Sequence, residues 1–207
     1  MSDSEKHSYQ TPLLIALLPL LILFVCATIL FWLSKQGMAE STKYWEVFVP
    51  VVAVISLISG WGQAYLANRS RLMYLVRQVL HWGAFIGVLY LFNTQGIREL
   101  MSDQQYAIVV IYLLAFASLL AAIHVDFKLI FFGIFLVFCA FLLAVPTDNP
   151  TLISMGQTFG IADAQNKPMM MTIGVAVVGF IASWFLLSMM RGALVSKRIA
   201  ERRGKKD

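Results

Sequence analysis

Six apolar runs of roughly 20 residues each dominate the sequence and leave little chain between them. A bilayer core about 30 Å thick is crossed by about 20 helical residues, because each residue advances a helix by about 1.5 Å. An open strand would leave its backbone groups unpaired in lipid, so we interpret every run as a helix. The runs cover residues 12–33, 47–67, 76–93, 106–123, 127–145 and 169–190. They predict an all-α, polytopic membrane protein with six transmembrane helices in a single domain, residues 1–191.

The composition excludes a water-soluble globule. Of the 207 residues, 59% are hydrophobic and 13% are charged, and the mean hydropathy is +0.76. Soluble domains are about half apolar and about a quarter charged. The two cysteines, Cys26 and Cys139, both lie inside apolar runs, where a thiol packs as a small hydrophobe and indicates no disulfide framework.

The distribution of Lys and Arg predicts the orientation of the helices. With both termini in the cytoplasm, twelve of the sixteen basic residues lie on the inner side. The four on the outer side are Lys35, Lys43, Arg98 and Lys167. Cytoplasmic loops of membrane proteins carry an excess of Lys and Arg, so this orientation is favoured. Together with the short loops, it predicts a protein of the bacterial inner (cytoplasmic) membrane.

The longest loop, residues 146–168, is expected on the outer side, and loops of this length usually carry structure or function of their own. Apolar residues recur in it at roughly helical spacing: Leu152, Ile153, Met155, Phe159 and Ile161. The pattern favours an amphipathic helix on the membrane surface. The alternative is a re-entrant loop that lines a pore.

Basic residues are concentrated in a C-terminal cytoplasmic tail, residues 192–207. Seven of the sixteen Lys and Arg residues fall within the last seventeen positions, so the net charge of +5 predicts no nucleic-acid partner. Basic residues just inside a span are attracted to anionic lipids. We therefore expect Lys197, Arg198, Arg202 and Arg203 to anchor the tail at the membrane surface or to bind an acidic partner.

Groups that could perform chemistry are scarce in the apolar runs. None of the six contains Asp or Glu, which coupled transporters and proton pumps generally place within the membrane. The chain also has no phosphate-binding glycine loop, no His-Glu-x-x-His zinc helix, no paired-cysteine metal motif and no Gly-x-Ser-x-Gly nucleophile turn. We therefore predict that the protein is not an enzyme, has no metal site and needs no cofactor.

One polar group of residues is predicted at the inner surface, formed by Arg69, Arg71, Arg77, His81 and His124. A spacing of four places Arg77 and His81 one above the other on the third helix. Arginine offers several N–H donors to phosphate oxygens, so these residues are candidates for binding an anionic lipid headgroup or another phosphate-bearing ligand. The alternatives are that Arg77 extends to the interface and His81 packs in the core, or that His81 and His124 ligate a haem.

Small residues spaced four apart allow helix backbones to approach closely. Gly60, Gly83, Gly87, Gly179 and Ser183 belong to such pairs and predict packing within the bundle or an interface with another subunit. Helix five is different, because phenylalanines surround it on nearly all sides. We expect that helix to face lipid or a large apolar partner.

These features favour a non-catalytic integral-membrane subunit or scaffold of a larger membrane protein complex. Its partners would be anionic lipids and one or more membrane proteins, bound through transmembrane helix faces, the outer loop and the basic tail. The alternative is a small transporter or channel for an uncharged or anionic solute, with a cytoplasmic-side site at Arg77 and His81. A lipid-modifying enzyme that uses His81 or His124 as acid or base is a weaker third hypothesis, because no nucleophile accompanies them.

Overall fold

The computed structural model describes the backbone of residues 3–38, 41–66, 71–124, 127–146, 149–158 and 160–203, and the side chains of residues 17–38, 41–59, 72–123, 127–146, 149–158 and 160–189. Within these ranges the chain is helical and contains no strand, so the all-α prediction is confirmed. Short 3-10 helices cover Ile97–Leu100 and Ala164–Asn166. The α-helices are α1 (Asp3–Lys35), α2 (Ser41–Leu66), α3 (Arg71–Thr94), α4 (Asp103–His124), α5 (Leu129–Ala144), α6 (Pro150–Thr158) and α7 (Pro168–Arg203).

Five of the described helices are long and apolar enough to cross a membrane. Their helicity follows because a backbone in lipid must satisfy its hydrogen bonds within the segment. The protein is therefore a multi-pass membrane protein. α5 is also apolar but has only 16 residues. The five segments, in α1, α2, α3, α4 and α7, are Leu17–Lys35, Ser41–Ser59, Leu72–Thr94, Asp103–Ile123 and Pro168–Met189.

α5 is largely buried against three other helices of the bundle. It packs along α4 and against α1 and α7, and ten of its sixteen residues are buried. Phe132 and Phe135 contact Phe24 of α1, with ring centroids 5.5 and 5.1 Å apart, and Phe138 is also buried. The expectation that the phenylalanines of helix five face lipid or a large apolar partner is therefore wrong for the buried rings, which fill the space between neighbouring helices, whereas Ile134 of the same helix is 50% exposed.

α3 is a peripheral helix and the least buried of the five candidate spans. Gln78, Trp82, Phe85 and Leu89 recur at helical spacing and are buried where α3 meets α2 and α4. The other faces of α3 are exposed, and their large side chains include Leu72, Val76, Val79, Leu80, Tyr90 and Leu91. α3 therefore presents a long apolar surface that no other described helix of this chain covers.

Hydrogen bonds between helices define one end of the bundle, here called the Lys35 end. Lys35 Nζ of α1 donates to Leu142 O of α5 at 3.3 Å. Gln104 Nε2, in the first turn of α4, donates to Leu143 O of α5 at 3.1 Å. The last residues of α1 and α5 and the first residues of α4 therefore lie at the same level.

The opposite end is here called the Lys128 end. Lys128 directly precedes α5, and its Nζ donates to Ser59 Oγ of α2 at 2.8 Å. The same lysine borders a cavity that Leu20 of α1 also lines. α1 and α5 therefore run from the Lys128 end to the Lys35 end, whereas α2 and α4 run in the opposite direction.

The loop between α5 and α7 contains α6, in the region where the amphipathic pattern predicts a helix. Asn149 Oδ1 accepts a hydrogen bond from the Thr151 N–H (2.9 Å), which caps the first turn of α6. Leu152 and Gly156 are buried, and Gly156 packs against the following 3-10 helix. Phe159 lies outside the described residues.

Candidate functional site

Two of the five predicted ligand residues have described side chains. Arg77 and His81 both lie on α3, where Arg77 is exposed and His81 is half-buried. Arg71 and His124 lie within α3 and α4 with side chains outside the described set, and Arg69 lies outside the described residues altogether. The structure thus places one member of the group on the surface of α3 and one against the bundle.

His81 joins α3 to α4. Its Nε2 lies 2.9 Å from the backbone oxygen of Ala117, and its ring packs edge-on against Trp82 with centroids 5.1 Å apart. A carbonyl oxygen only accepts hydrogen bonds, so Nε2 carries the proton and donates it. Nε2 therefore has no lone pair for a haem iron or a metal ion, and this contact packs His81 against α4.

A polar cluster joins α2, α3 and the start of α5, and it consists of Ser56, Ser59, Tyr74, Gln78 and Lys128. Gln78 is 1% exposed, and its Nε2 donates to Tyr74 OH (2.9 Å) and to Ser56 Oγ (3.4 Å). Tyr74 OH donates to Leu57 O of α2 at 2.9 Å. Because Tyr74 and Gln78 are four residues apart, one face of α3 supplies both groups.

Lys128 is the charged member of the polar cluster, and it is 3% exposed. Its ammonium donates to Ser59 Oγ at 2.8 Å. Ser56, Ser59 and Lys128 line a cavity of about 10 Å³ whose other walls are apolar residues of α1, α2 and α5. That volume is about what one water molecule needs. The three polar side chains therefore face a common space the size of a water molecule.

The polar cluster was not among the sites predicted from the sequence, where Lys128 counts only as one more inner cation. A charged group buried in a membrane protein is a candidate functional residue, because burying it is costly. The signal in the sequence is the pair Ser56 and Ser59 inside an apolar run. Chemically the cluster offers an ammonium, hydroxyls and an amide, a donor set suited to an anion or to water.

Some buried polar atoms of α3 and α4 have no hydrogen-bond partner among the described residues. They include Gln78 Oε1, Trp82 Nε1 and Ser118 Oγ. Each unpaired buried group costs about 1–3 kcal/mol. Ser118 directly follows Ala117, which accepts from His81, so this unpaired hydroxyl lies at the level of the His81 contact. The His81 hydrogen bond therefore joins α3 to α4, and an unpaired hydroxyl of α4 lies at the same level.

The predicted packing residues divide into two groups. At Gly179 of α7, a Cβ would lie 3.2 Å from the Phe24 ring of α1. Ser183, one turn later, is buried and donates to Gly179 O at 2.8 Å. At Gly83 and Gly87 of α3, a Cβ would meet nothing within 4 Å. The α7 pair therefore packs within the chain, whereas the α3 pair lies on an open surface.

The remaining predicted residues are placed by their backbone. Gly60 lies within α2, and Lys197, Arg198, Arg202 and Arg203 lie within α7. In the part of the chain with described side chains, no group of three or more His, Cys, Asp or Glu residues is arranged to hold a metal ion. Comparisons with protein-family models, curated proteins and solved structures find no match for this chain.

Proposed function

We propose that the chain is a non-catalytic integral-membrane subunit or scaffold of a larger membrane protein complex, and that α3 binds a transmembrane helix of the partner. The observation that carries this proposal is the open glycine pair on α3. At 100° per residue, Gly83 and Gly87 lie opposite the stripe that packs on the bundle. Large exposed side chains, Leu80 and Tyr90, flank them along the helix.

Two glycines four residues apart remove the side chains from one strip of a helix and allow another backbone to approach. The same chain shows how such glycines are used. At Gly133 of α5, a Cβ would lie 2.7 Å from Leu119 Cγ of α4, so the neighbouring helix already occupies that space. A partner helix would fill the strip at Gly83 and Gly87 in the same way. Fluid acyl chains adapt to any surface and do not require such a strip.

The proposal includes a sixth crossing by α5, which would place both termini on one side of the membrane. α5 has 16 residues and is about 24 Å long. Lys128 before α5 and Leu142 near its end contact opposite ends of the bundle. Because α1, α4 and α7 pack against α5, α5 can cross the membrane although it is shorter than a helix that faces lipid on all sides.

The excess of Lys and Arg in the predicted inner segments supports cytoplasmic termini and a bacterial inner membrane. In that orientation α6 faces the outer side, and the tail faces anionic lipids or an acidic region of the partner.

Single cysteines in a Cys26→Ala, Cys139→Ala background test the number of crossings and the orientation. Gln36→Cys and Gln165→Cys should react with an impermeant maleimide in intact cells, and Lys197→Cys only after the membrane is opened. If Gln165→Cys does not react in intact cells, α5 does not cross the membrane. If Lys197→Cys reacts in intact cells, the C-terminus is not cytoplasmic.

Photo-crosslinking tests the partner surface. A photoreactive amino acid at Leu80, which is 67% exposed on α3, should attach the chain to one partner protein in native membranes. The matched control is Phe185 of α7, which is 61% exposed and should give no such adduct. Gly83→Leu fills the strip and should remove both the adduct and the co-purifying partner. Gly174→Leu, at an open glycine of α7, should leave both unchanged.

Native mass spectrometry of the gently extracted protein gives the stoichiometry of the complex. A constant ratio of chain to partner, lost only in Gly83→Leu, is the expected result. A bare monomer or homo-oligomer with no adduct at Leu80 would refute the proposal. So would adducts of equal yield at Leu80 and Phe185, because they would show contact without preference for α3.

One observation favours a second function, the passage of an uncharged or anionic solute. Lys128 supplies a buried cation beside the water-sized cavity, whereas Arg77 is exposed and His81 donates to a backbone oxygen. Lys128→Met should then abolish the flux of chloride or glycerol into vesicles that contain the purified protein. Lys43→Met is the control at an exposed lysine. Flux that is absent from the wild type would exclude this function, and flux that is unchanged in Lys128→Met would exclude Lys128 from the solute path.

A further inference from the structure

A pair of lysines, Lys35 and Lys167, lies at the Lys35 end, remote from the polar cluster at Lys128. The end of α1 and the beginning of α7 enclose a half-open cleft of about 360 Å³. Its polar side chains are those of Lys35, Gln36, Asn166 and Lys167. Its apolar walls are formed by Phe31, Trp32, Pro168, Met169 and Met170.

The two lysines leave the cleft positively charged. Lys35 Nζ donates to Leu142 O (3.3 Å), and Lys167 Nζ donates to Ala162 O (3.2 Å). An ammonium has three N–H donors, so each lysine retains donors for a ligand. Among the residues with described side chains, no carboxylate forms an ion pair with either lysine. The nearby Asp163 carboxylate accepts instead from the Asn166 amide at 2.8 Å.

The polar wall of the cleft lies at the end of the bundle and the apolar wall lies closer to its middle, as the headgroup and the acyl chain of a phospholipid do. Trp32 precedes Lys35 by three residues and Met170 follows Lys167 by three, so each lies about 4.5 Å closer to the middle of the bundle. Trp32 is 46% exposed and Met170 is 55% exposed. A headgroup between the lysines would therefore continue into an acyl chain against exposed apolar side chains.

We propose that this cleft binds an anionic glycerophospholipid, with the phosphate diester between Lys35 and Lys167 and the acyl chain along Trp32 and Met170. Two cations select negative charge, and the apolar wall selects a lipid over a free phosphate ion. This site is separate from the α3 surface and from the basic tail. The failure of either proposal leaves the other unaffected.

The test measures retention of phosphatidylglycerol by the full-length protein in detergent, using native mass spectrometry over a lipid titration. Lys35→Gln with Lys167→Gln should weaken binding roughly thirtyfold, because each cation beside an anionic headgroup contributes about fivefold. Lys43→Gln, at an exposed lysine of the same end, should not change binding. Lys35→Arg with Lys167→Arg should retain it, which separates loss of charge from loss of folding.

Two further ligands identify the source of the phosphate. Zwitterionic phosphatidylethanolamine should bind at least tenfold more weakly than phosphatidylglycerol, and 10 mM inorganic phosphate should not displace the lipid. Equal binding of the two lipids would overturn the proposal, as would equal weakening by Lys43→Gln. Binding of inorganic phosphate without retention of lipid would show a site for a soluble anion and would also overturn it.

Discussion

Gly133→Ala tests the packing of α5 against α4. A Cβ at Gly133 of α5 would lie 2.7 and 2.8 Å from two carbon atoms of Leu119 and 3.2 Å from the backbone oxygen of Ala115. The Leu119 side chain would have to move, and the Ala115 oxygen is part of the α4 backbone. Gly83→Ala is the matched control, because nothing lies within 4 Å of a Cβ there.

Two opposing terms determine the change in the free energy of unfolding. Replacing a helical glycine by alanine stabilises a helix by about 1 kcal/mol. Forcing an extra carbon into a packed core costs about 1–3 kcal/mol. Gly133→Ala combines both terms and should lose about 1 kcal/mol, whereas Gly83→Ala should gain up to about 1 kcal/mol. A difference of about 2 kcal/mol corresponds to roughly 4–8 °C in Tm for a chain of this size.

Thermal unfolding of the detergent-purified variants, followed by tryptophan fluorescence at one heating rate, measures this difference. Gly133→Ala should unfold first, the wild type next and Gly83→Ala last. The proportion of protein that stays monodisperse after heating provides an independent readout. Equal unfolding midpoints, or a higher midpoint for Gly133→Ala, would refute the inference that Gly133 is tightly packed and Gly83 is open.

Three further substitutions address single polar groups, each measured by the unfolding midpoint. Ser118→Ala removes a buried hydroxyl with no partner among the described residues and should stabilise the protein by about 1 kcal/mol; a lower midpoint would show that the hydroxyl is paired. Ser34→Ala deprives the buried Trp45 Nε1 of its acceptor, 2.9 Å away, and should cost about 1–3 kcal/mol; an unchanged midpoint would contradict that bond. Arg98→Gln breaks the partly exposed ion pair with Glu46 and should cost less than about 1 kcal/mol, with no cost in high salt; a cost that persists in salt would indicate a packing role.

The positions of the helices follow closely from hydropathy. Every predicted apolar run coincides with a helix, but several helices extend beyond their runs: α1 begins at Asp3 rather than near residue 12, and α7 ends at Arg203 rather than near residue 190. Hydropathy detects the apolar part of a helix. The hydrogen-bonded backbone continues past it, because polar side chains at a helix end can reach the interface.

The position of α5 illustrates what hydropathy does not distinguish. Phenylalanines on all sides of a helix suit lipid and protein interior equally well, because both are apolar. The pattern of phenylalanines therefore does not distinguish a helix that faces lipid from one that is buried in the bundle. Packing decided it, through the contacts of Phe132 and Phe135 with Phe24.

In the candidate site, too, the sequence identifies residues whose roles depend on contacts with distant parts of the chain. The sequence identifies His81 as a polar residue in a span, but the carbonyl of Ala117, 36 residues away, determines that its Nε2 donates a hydrogen bond. Lys128 has no special signal of its own. It becomes a buried cation because α2 places Ser59 beside it, 69 residues away in the chain.

Helical structure and membrane insertion follow from the amino-acid sequence, because both properties depend on the hydropathy of contiguous segments. Packing between helices specifies which faces of α5 are buried, which glycines are covered and which cation is buried. Gly179 meets Phe24 while Gly83 and Gly87 meet nothing within 4 Å, although all three carry the same local pattern. Such differences arise from contacts between residues distant in the chain, which no local pattern specifies.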